Sequence, residues 1–247
     1  MLGYKIPFSK TYFLNIFWSS GRERPERIER GALTKKFKYR RLTVEPGLLW
    51  SDGKVYCLLL ALSLIEGKEE VEIPAGRFLR WLGRGSSGSS YSSLLTSLSF
   101  LKRATLEIPN LQNGKETTTK LKLIEDFKYS LGTLRVKVSS GALKEFLANR
   151  GKGYEIPLIH LLSEQAKGMA YSLLTVSYYF YFSRKKWINL GEDPWEFGKK
   201  WLGVYTRKGS FITRLERAVE RVNGIVGLPF SLRLYKDKGK AVLKIDF

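Results

Sequence analysis

The sequence predicts an α+β fold built from two copies of one module, and three observations support this. First, the segment WLGRGSSGSSY at residues 81–91 is echoed 120 residues later by WLGVYTRKGSF at 201–211; both begin with Trp-Leu-Gly and close on Ser and an aromatic residue. Second, apolar patterns of helical and strand period occur in the same order in both halves. Third, 247 residues suit two domains of about 100 to 120 residues each.

The first half opens, after the capping residues of WSDGK, with a helix over 53–65 that is apolar almost all round. EEVEIP then alternates like a short strand, and Pro74 suits the start of a short helix. From Ser89 to Arg103 apolar residues recur every three or four positions, which is the pattern of one buried helical face. ATLEIP and TTTKLKLIEDF are predicted to form a hairpin around Asn113-Gly114, a dipeptide suited to a tight turn.

The second half repeats this order. An apolar helix runs to about Phe182, the short strand WINL follows, and a helix begins on Asp193-Pro194 and runs to Leu202. A longer helix is predicted over 208–223, and SLRLY and AVLKI flank KDKGK as a second hairpin. The inward positions of this longer helix are Phe211, Leu215, Ala218 and Val222.

Helix, turn, second helix and hairpin is the pattern of a winged helix, in which the second helix enters the DNA major groove. We therefore predict two tandem winged-helix domains, at 42–150 and 151–247, after a basic N-terminal extension at 1–41. Residues 22–41 of that extension contain nine Arg or Lys and three Glu. The segment suits an arm on DNA or, equally, a solvated helix with Glu and Arg pairs.

The charge indicates a polyanionic partner. Forty-three Lys and Arg against 23 Asp and Glu give a net charge of +20, which favours nucleic acid. No apolar run reaches the ~18 residues of a membrane span and no signal peptide opens the chain, so no membrane partner is expected. The single cysteine, Cys57, lies in an apolar run and predicts an intracellular, cytoplasmic protein.

The Gly- and Ser-rich segment is predicted to be the turn and the start of the first recognition helix. Gly83, Gly85 and Gly88 allow a sharp bend and a close approach to phosphate, while hydroxyls and helix N–H groups bind anions. The predicted DNA-binding residues of this half are Arg84, Ser86, Ser87, Ser89, Ser90 and Ser93.

The second module is the stronger candidate for base recognition. Residues 199–247 contain twelve Lys or Arg and four acidic residues. Arginine is suited to this role because its planar guanidinium can donate to both O6 and N7 of guanine. The helix is predicted to present Arg207, Lys208, Ser210, Thr213, Arg214, Arg217 and Arg221, and the hairpin tip Lys236, Lys238 and Lys240.

The segment VEIPAGRFLRWLGRGSSGSSYSSLLTSLSFLKRATLEI resembles the first winged-helix module of plasmid replication initiators, most closely the TrfA-type. The resemblance extends upstream through FKYRRLTVEPGLLWSDGKVYCLLLAL and downstream through IEDF and LRVKVSSGALKEF. After about residue 150 only the order of elements and Trp-Leu-Gly remain.

The resemblance implies a protein that binds repeated sites, or iterons, in a plasmid origin and opens a neighbouring AT-rich segment. It also implies recruitment of the host replication initiator and replicative helicase, and a homodimer that does not initiate. A transcriptional repressor or partition protein built from the same modules is the alternative. An RNA-binding protein is a weaker one, because a recognition helix suits the wide groove of B-DNA better than the deep groove of RNA.

No enzymatic chemistry is predicted. Gly83 to Gly88 matches GxGxxG formally but follows a predicted helix rather than a strand, and the P-loop lysine is absent. His160 is the only histidine and is interpreted as part of a helix boundary rather than as a metal ligand. The expectation is a non-enzymatic duplex-binding protein without metal or cofactor.

Overall fold

Helices and strands are mixed along the described chain, which is an α+β protein as the sequence predicts. The structure is a computed structural model. It describes residues 3–8, 17–18, 33–37, 40–45, 48–112, 115–148, 150–203, 208–237 and 240–247.

Two helices lie at the centre of the core, one in each half, and both are apolar on nearly every side because they are surrounded by other elements. The first, α1, is capped from within, since Oδ2 of Asp52 accepts a hydrogen bond from the Leu49 N–H (2.8 Å). The central helices are α1 (Trp50–Glu66) and α6 (Met169–Phe182); the others are α2 (Ala75–Trp81), α3 (Gly88–Arg103), α4 (Ser140–Ala148), α5 (Leu158–Leu162), α7 (Pro194–Phe197) and α8 (Phe211–Asn223).

The strands form several small sheets rather than one large one. They are β1 (Lys5–Pro7), β2 (Phe17–Trp18), β3 (Leu33–Phe37), β4 (Arg40–Glu45), β5 (Leu48–Leu49), β6 (Glu70–Pro74), β7 (Thr105–Gln112), β8 (Lys115–Lys122), β9 (Ile124–Ser130), β10 (Thr133–Val138), β11 (Glu155–Pro157), β12 (Trp187–Asn189), β13 (Ser231–Asp237) and β14 (Lys240–Asp246).

Both halves contain the same succession of elements with the same strand pairing. In the first half α1, β6, α2 and α3 precede a hairpin of β9 and β10; in the second half α6, β12, α7 and α8 precede a hairpin of β13 and β14. The three-stranded antiparallel sheets are ordered β6-β10-β9 and β12-β14-β13, so the second strand of each hairpin is central in both. The repeat that the sequence indicates is therefore present in the sheet topology as well.

The first hairpin differs from the sequence prediction. The predicted strands before and after Asn113-Gly114, β7 and β8, do pair antiparallel, but they belong to the separate sheet β3-β4-β7-β8. The hairpin equivalent to β13 and β14 is β9 and β10, so TTTKLKLIEDF is two strands rather than one. Leu123 and Ile124 are both buried. Consecutive residues of one strand point to opposite faces, so two buried neighbours mark the place where β8 ends and β9 begins. The Leu123 carbonyl also accepts a hydrogen bond from the Ser139 N–H (3.1 Å).

Part of the predicted N-terminal extension contributes strands to the fold. β1 pairs antiparallel with β11, and Ile6 is fully buried. The ring of Phe8 lies 5.4 Å from that of Phe182 and 6.5 Å from that of Tyr179, both on α6. β3 and β4 are strands in the sheet with β7, so 33–37 and 40–41 are not the solvated helix considered above. Residues 22–32, the part of that basic segment before β3, lie outside the described residues. The predicted domain boundaries after residues 41 and 150 stay a prediction.

A buried lysine links the two halves. The ammonium of Lys54 on α1 donates to the carbonyl oxygens of Ser163 (2.6 Å) and Leu162 (3.3 Å) at the end of α5. Burial lowers the pKa of Lys54 to about 8, and the positive charges of Lys167 and Arg84 act in the same direction. Two carbonyls at a helix C-terminus favour a cation, so this contact fixes α1 of the first half against α5.

Candidate nucleic-acid interface

The repeated Trp-Leu-Gly occupies the same place in both halves, at the end of the helix that precedes α3 or α8. α2 ends at Trp81, and a π-helical turn, Gly198–Leu202, continues α7 in the second half. Leu82 and Leu202 are buried, and Gly83 and Gly203 have φ of 70° and 61°. A left-handed residue after a helix strongly favours glycine, so the repeat specifies the turn between the two helices of each pair.

The Gly- and Ser-rich segment caps α3. Ser87 is the N-cap residue, and its Oγ accepts a hydrogen bond from the Ser90 N–H (3.3 Å). The same Oγ lies 2.9 Å from the hydroxyl of Ser89 and 3.0 Å from that of Ser90. The hydroxyls of Ser87, Ser89 and Ser90 thus form one cluster at the helix start, with Ser86 exposed beside it.

Only one of the three glycines in this turn needs its conformational freedom. Gly83 is left-handed, whereas Gly85 and Gly88 have no positive φ and a Cβ at either would meet open space. Of the three glycines, the left-handed conformation is therefore found at Gly83, and the predicted close approach of all three to phosphate stays a prediction. Open space around Gly85 and Gly88 nevertheless leaves this turn accessible to a large ligand.

Arg84 lies in the turn between α2 and α3, and its side chain contacts α3 rather than projecting freely. Its side chain is half-buried, and Nη1 donates to Oγ of Ser93 (3.3 Å), another predicted DNA-binding residue. Burial lowers the pKa of Arg84, and the carboxylate of Asp52 opposes that shift. Only one guanidinium N–H of Arg84 is donated to Ser93, so the other N–H groups can contact a phosphate.

The outer face of α8 presents the predicted basic side chains to solvent. Thr213, Arg214, Arg217 and Arg221 are all exposed, and Phe211, Leu215, Ala218 and Val222 are buried as predicted. The α-helix begins at Phe211, because Lys208–Ser210 form a preceding 3₁₀ turn instead of a first α-helical turn. Lys208 and Ser210 therefore lie beside the start of α8 and not on its long face.

Ion pairs divide the basic side chains of this surface into two groups. Nζ of Lys208 lies 2.5 Å from Oδ2 of Asp193, and Lys236 pairs with Glu216. Within the described part of the chain, no carboxylate pairs with Arg214, Arg217 or Arg221. Exposed pairs contribute only about 0–1 kcal/mol, so phosphate can replace the carboxylate at either lysine.

The Lys208 contact also affects its partner. The hydrogen bond from Lys208 lowers the pKa of Asp193, and the Trp195 N–H, which donates to Oδ1 of Asp193 (3.1 Å), acts in the same direction. Asp193 is the N-cap of α7, as the sequence predicts, so one carboxylate joins that helix to the 3₁₀ turn. Arg207 and Lys238 lie outside the described residues; Lys240 begins β14, but its side chain is not among those described.

The tips of the two equivalent hairpins differ in character. The second carries KDKGK, whereas the tip of β9 and β10 is Leu131-Gly132. Leu131 is fully exposed and adopts φ of 49°, which is unusual for a leucine, and Gly132 has φ of 76°. The sequence prediction missed this apolar tip because it placed the hairpin one strand too early.

His160 is buried in α5, and its Nδ1 lies 2.5 Å from the hydroxyl of Tyr178. Burial lowers the pKa of His160, opposed by a hydrogen bond with the Val226 backbone. Across the described ranges no group of three or more His, Cys, Asp or Glu is placed to hold a metal ion. His160 is thus the middle residue of the five-residue helix α5, beside Tyr178.

Acid is expected to destabilise the protein through His160. Its folded-state pKa lies below the ordinary value of 6.5, so the unfolded chain binds a proton more readily. Stability is then lost as pH falls through 6.5 toward the folded-state pKa. Chemical denaturation of wild type and His160→Gln between pH 7.5 and 5 measures this: the wild type should show the steeper loss. Equal slopes would contradict it, since the carboxylates titrate in both proteins.

None of the helices in the described ranges is long and apolar enough to cross a bilayer.

Comparison with known proteins identifies the fold. A crystal structure of domains 2 and 3 of RctB superposes with a TM-score of 0.66 at 12% sequence identity, covering 96% of this chain and 98% of that one. A second crystal structure of RctB domains 2–3 gives a TM-score of 0.61 at 14% identity, covering 90% and 93%. No protein-family model and no curated protein matches the sequence. At these identities the similarity is one of fold, and it extends over nearly the whole chain.

Proposed function

We propose that this protein is a plasmid DNA replication initiator that binds repeated duplex sites in an origin through two tandem winged-helix modules. RctB, with which it shares the fold of two domains, is a replication initiator. The TrfA-type resemblance of residues 71–108 supports the same function from the sequence. In this interpretation α3 and α8 are the recognition helices, and the hairpins β9-β10 and β13-β14 are the wings.

The observation that carries the proposal is the row of exposed arginines on α8. Arg214, Arg217 and Arg221 recur at spacings of three and four on one face of a helix whose other face is buried. Side chains at this spacing point the same way, and no carboxylate within the described residues pairs with them. A major groove that receives α8 would meet three guanidinium groups able to donate to guanine or phosphate.

The two recognition helices have different roles in this proposal. The exposed start of α3 is rich in hydroxyls, and its basic residues Lys102 and Arg103 come only in its last turn. Phosphate contacts at its N-terminus, from Ser86, Ser89 and Ser90, position the first module without reading sequence. α8 with Lys208 and the β13-β14 hairpin adds both phosphate contacts and base recognition. Affinity should accordingly fall steeply with salt, while discrimination should depend mainly on α8.

The protein acts by binding and deforming DNA, without chemistry of its own and without a cofactor. Its further partners in this proposal are the host replication initiator and replicative helicase, and a second copy of the chain in a non-initiating homodimer. The site of action is the cytoplasm, where a plasmid origin is accessible.

A footprint on the DNA that flanks the gene tests this proposal. The purified protein is bound at moderate salt, and a probe for unpaired bases is applied in the same lanes. Protection of direct repeats together with unpaired bases in an adjacent AT-rich tract is the expected result. Protection of a promoter alone, with the duplex closed throughout, would instead identify a repressor or partition protein built from the same modules.

A further inference from the structure

The outer face of the sheet β12-β14-β13 carries two exposed aromatic rings beside basic side chains. Trp187 is opposite Lys244 on the central strand, and Lys244 is opposite Arg233, so the three form one row on one face. Tyr235 lies on the same face, two residues beyond Arg233. Trp187 is 56% exposed and Tyr235 is 45% exposed. These four residues are called the aromatic-basic face below.

The two rings lie close together and are tilted rather than stacked on each other. The centroids of Trp187 and Tyr235 are 5.8 Å apart and the rings are tilted by 48°. The ammonium of Lys244 lies 5.4 Å from the centroid of Trp187. A cation beside an exposed ring is the arrangement that combines stacking of a base with a contact to its phosphate.

One carboxylate lies among these cations. Asp246 is 2.6 Å from Nζ of Lys244 and 3.2 Å from Nε of Arg233. The hydrogen bond from Lys244 lowers the pKa of Asp246, and the charges of Arg233 and Lys186 add to this. Three cations therefore face one anion, which leaves a net positive charge around the rings.

This face is separate from the row of exposed arginines on α8. Leu232, Leu243 and Ile245 point to the opposite side of the sheet and are buried. β13 contacts α8 and β14 contacts α6 on that inner side. The exposed arginines of α8 and the aromatic-basic face therefore lie on different surfaces of the second half.

The first half provides an internal comparison. Its sheet has the same strand order, and a row on its outer face consists of Glu72, Arg135 and Lys128. Nε of Arg135 pairs with Glu72 at 2.9 Å. Solvent-exposed sheet faces usually carry charged side chains, as this one does. The exposed aromatic rings on the outer face of the second sheet are unusual by comparison.

We infer that the aromatic-basic face binds single-stranded nucleic acid, with bases stacked on Trp187 and Tyr235 and phosphates contacting Arg233 and Lys244. Only an unpaired base can stack on an exposed aromatic ring. The positive charges of Arg233 and Lys244 would contact the phosphates of the same strand. This goes beyond duplex recognition by α8. In an initiator, such a face would hold one strand of the opened AT-rich tract.

Fluorescence anisotropy with a labelled oligothymidine of about 15 nucleotides and a matched duplex tests the inference on the full chain. Trp187→Ala with Tyr235→Ala should weaken oligothymidine binding about tenfold or more, and Trp187→Phe should retain much of it. Asp246→Asn should strengthen binding, because it removes the only carboxylate that the described residues place among these cations. Duplex affinity should change little in the two variants of the aromatic residues, because neither alters a charge.

The matched control is Arg135→Ala, on the equivalent face of the first sheet, which should leave oligothymidine affinity unchanged. Oligothymidine affinity equal to wild type in the folded Trp187→Ala, Tyr235→Ala variant would overturn the inference. The inference would also be overturned if sedimentation showed that this double variant loses self-association while its oligothymidine affinity is intact. The face would then bind a second copy of the chain. Loss of duplex binding in α8 variants with oligothymidine binding retained would separate this inference from the proposed function.

Discussion

Replacing Arg214 with alanine is expected to lower discrimination between cognate and random duplex DNA by ~1 to 3 kcal/mol, the usual contribution of a bidentate base contact. Arg214 is exposed in the first turn of α8, where a recognition helix approaches the base edges most closely. The measurement is a pair of equilibrium titrations at one salt concentration, with a repeat-containing duplex and a scrambled duplex of equal length.

Two further variants make the result interpretable. Lys208→Ala, at the 3₁₀ turn, should weaken both duplexes alike, because a lysine beside the helix start serves mainly as a point charge on phosphate. Lys144→Ala removes one positive charge from α4 and should change neither affinity appreciably. An equal loss on both duplexes in Arg214→Ala would show that Arg214 contacts phosphate rather than a base.

Replacing Gly198 with alanine is expected to destabilise the protein by about 1–2 kcal/mol, although alanine normally favours a helix over glycine by up to ~1 kcal/mol. A Cβ at Gly198 would lie 2.7 Å from Cζ of Phe211 and closer still to Cε2. Phe211 is the buried first residue of α8, so its ring can move only by displacing the core side chains around it or the start of that helix. Denaturant unfolding of both proteins measures the difference.

The companion variants separate crowding from a general effect of glycine. Gly85→Ala has open space around its Cβ and should stay within about 0.5 kcal/mol of wild type. Phe211→Leu makes room, so the double variant with Gly198→Ala should be more stable than the sum of the two single effects predicts. Additive effects would contradict the proposed contact. Duplex affinity should fall with Gly198→Ala, because this contact sets how α8 sits on its module.

The helices were predictable from sequence because their apolar periodicity and end signals agree. α3 and α8 have apolar residues every three or four positions, and Asp193 caps α7 as its Asp-Pro sequence indicates. The hairpin of the first half was assigned wrongly because Asn-Gly is a strong local turn signal. The strands on either side of that dipeptide do pair, but the pairing of β10 with β6 is non-local, and no local pattern encodes it.

The candidate site was predictable only in part. The exposed arginines of α8 follow from helical spacing alone, whereas the half-buried position of Arg84 depends on Asp52 and Ser93, which the fold brings to it. Trp187 and Tyr235 occur in strands, where aromatic residues are common, so composition gave no reason to place them in solvent. Trp187 and Tyr235 alternate along their strands with Ile188 and Leu234, which point inward. This alternation indicates that the two rings face outward, but it can be used only when the strands and the inner face of the sheet are known.

The pairing of β1 with β11 has a consequence for synthesis of the chain. Ile6 is opposite Ile156, 150 residues later in the sequence. At about 5–20 residues per second, β1 leaves the ribosome roughly 8–30 seconds before its partner strand exists. Chains stalled before Glu155 should therefore be cut by protease near β1, and full-length chains should resist. β1 can therefore pair with β11 only after synthesis has reached the second half.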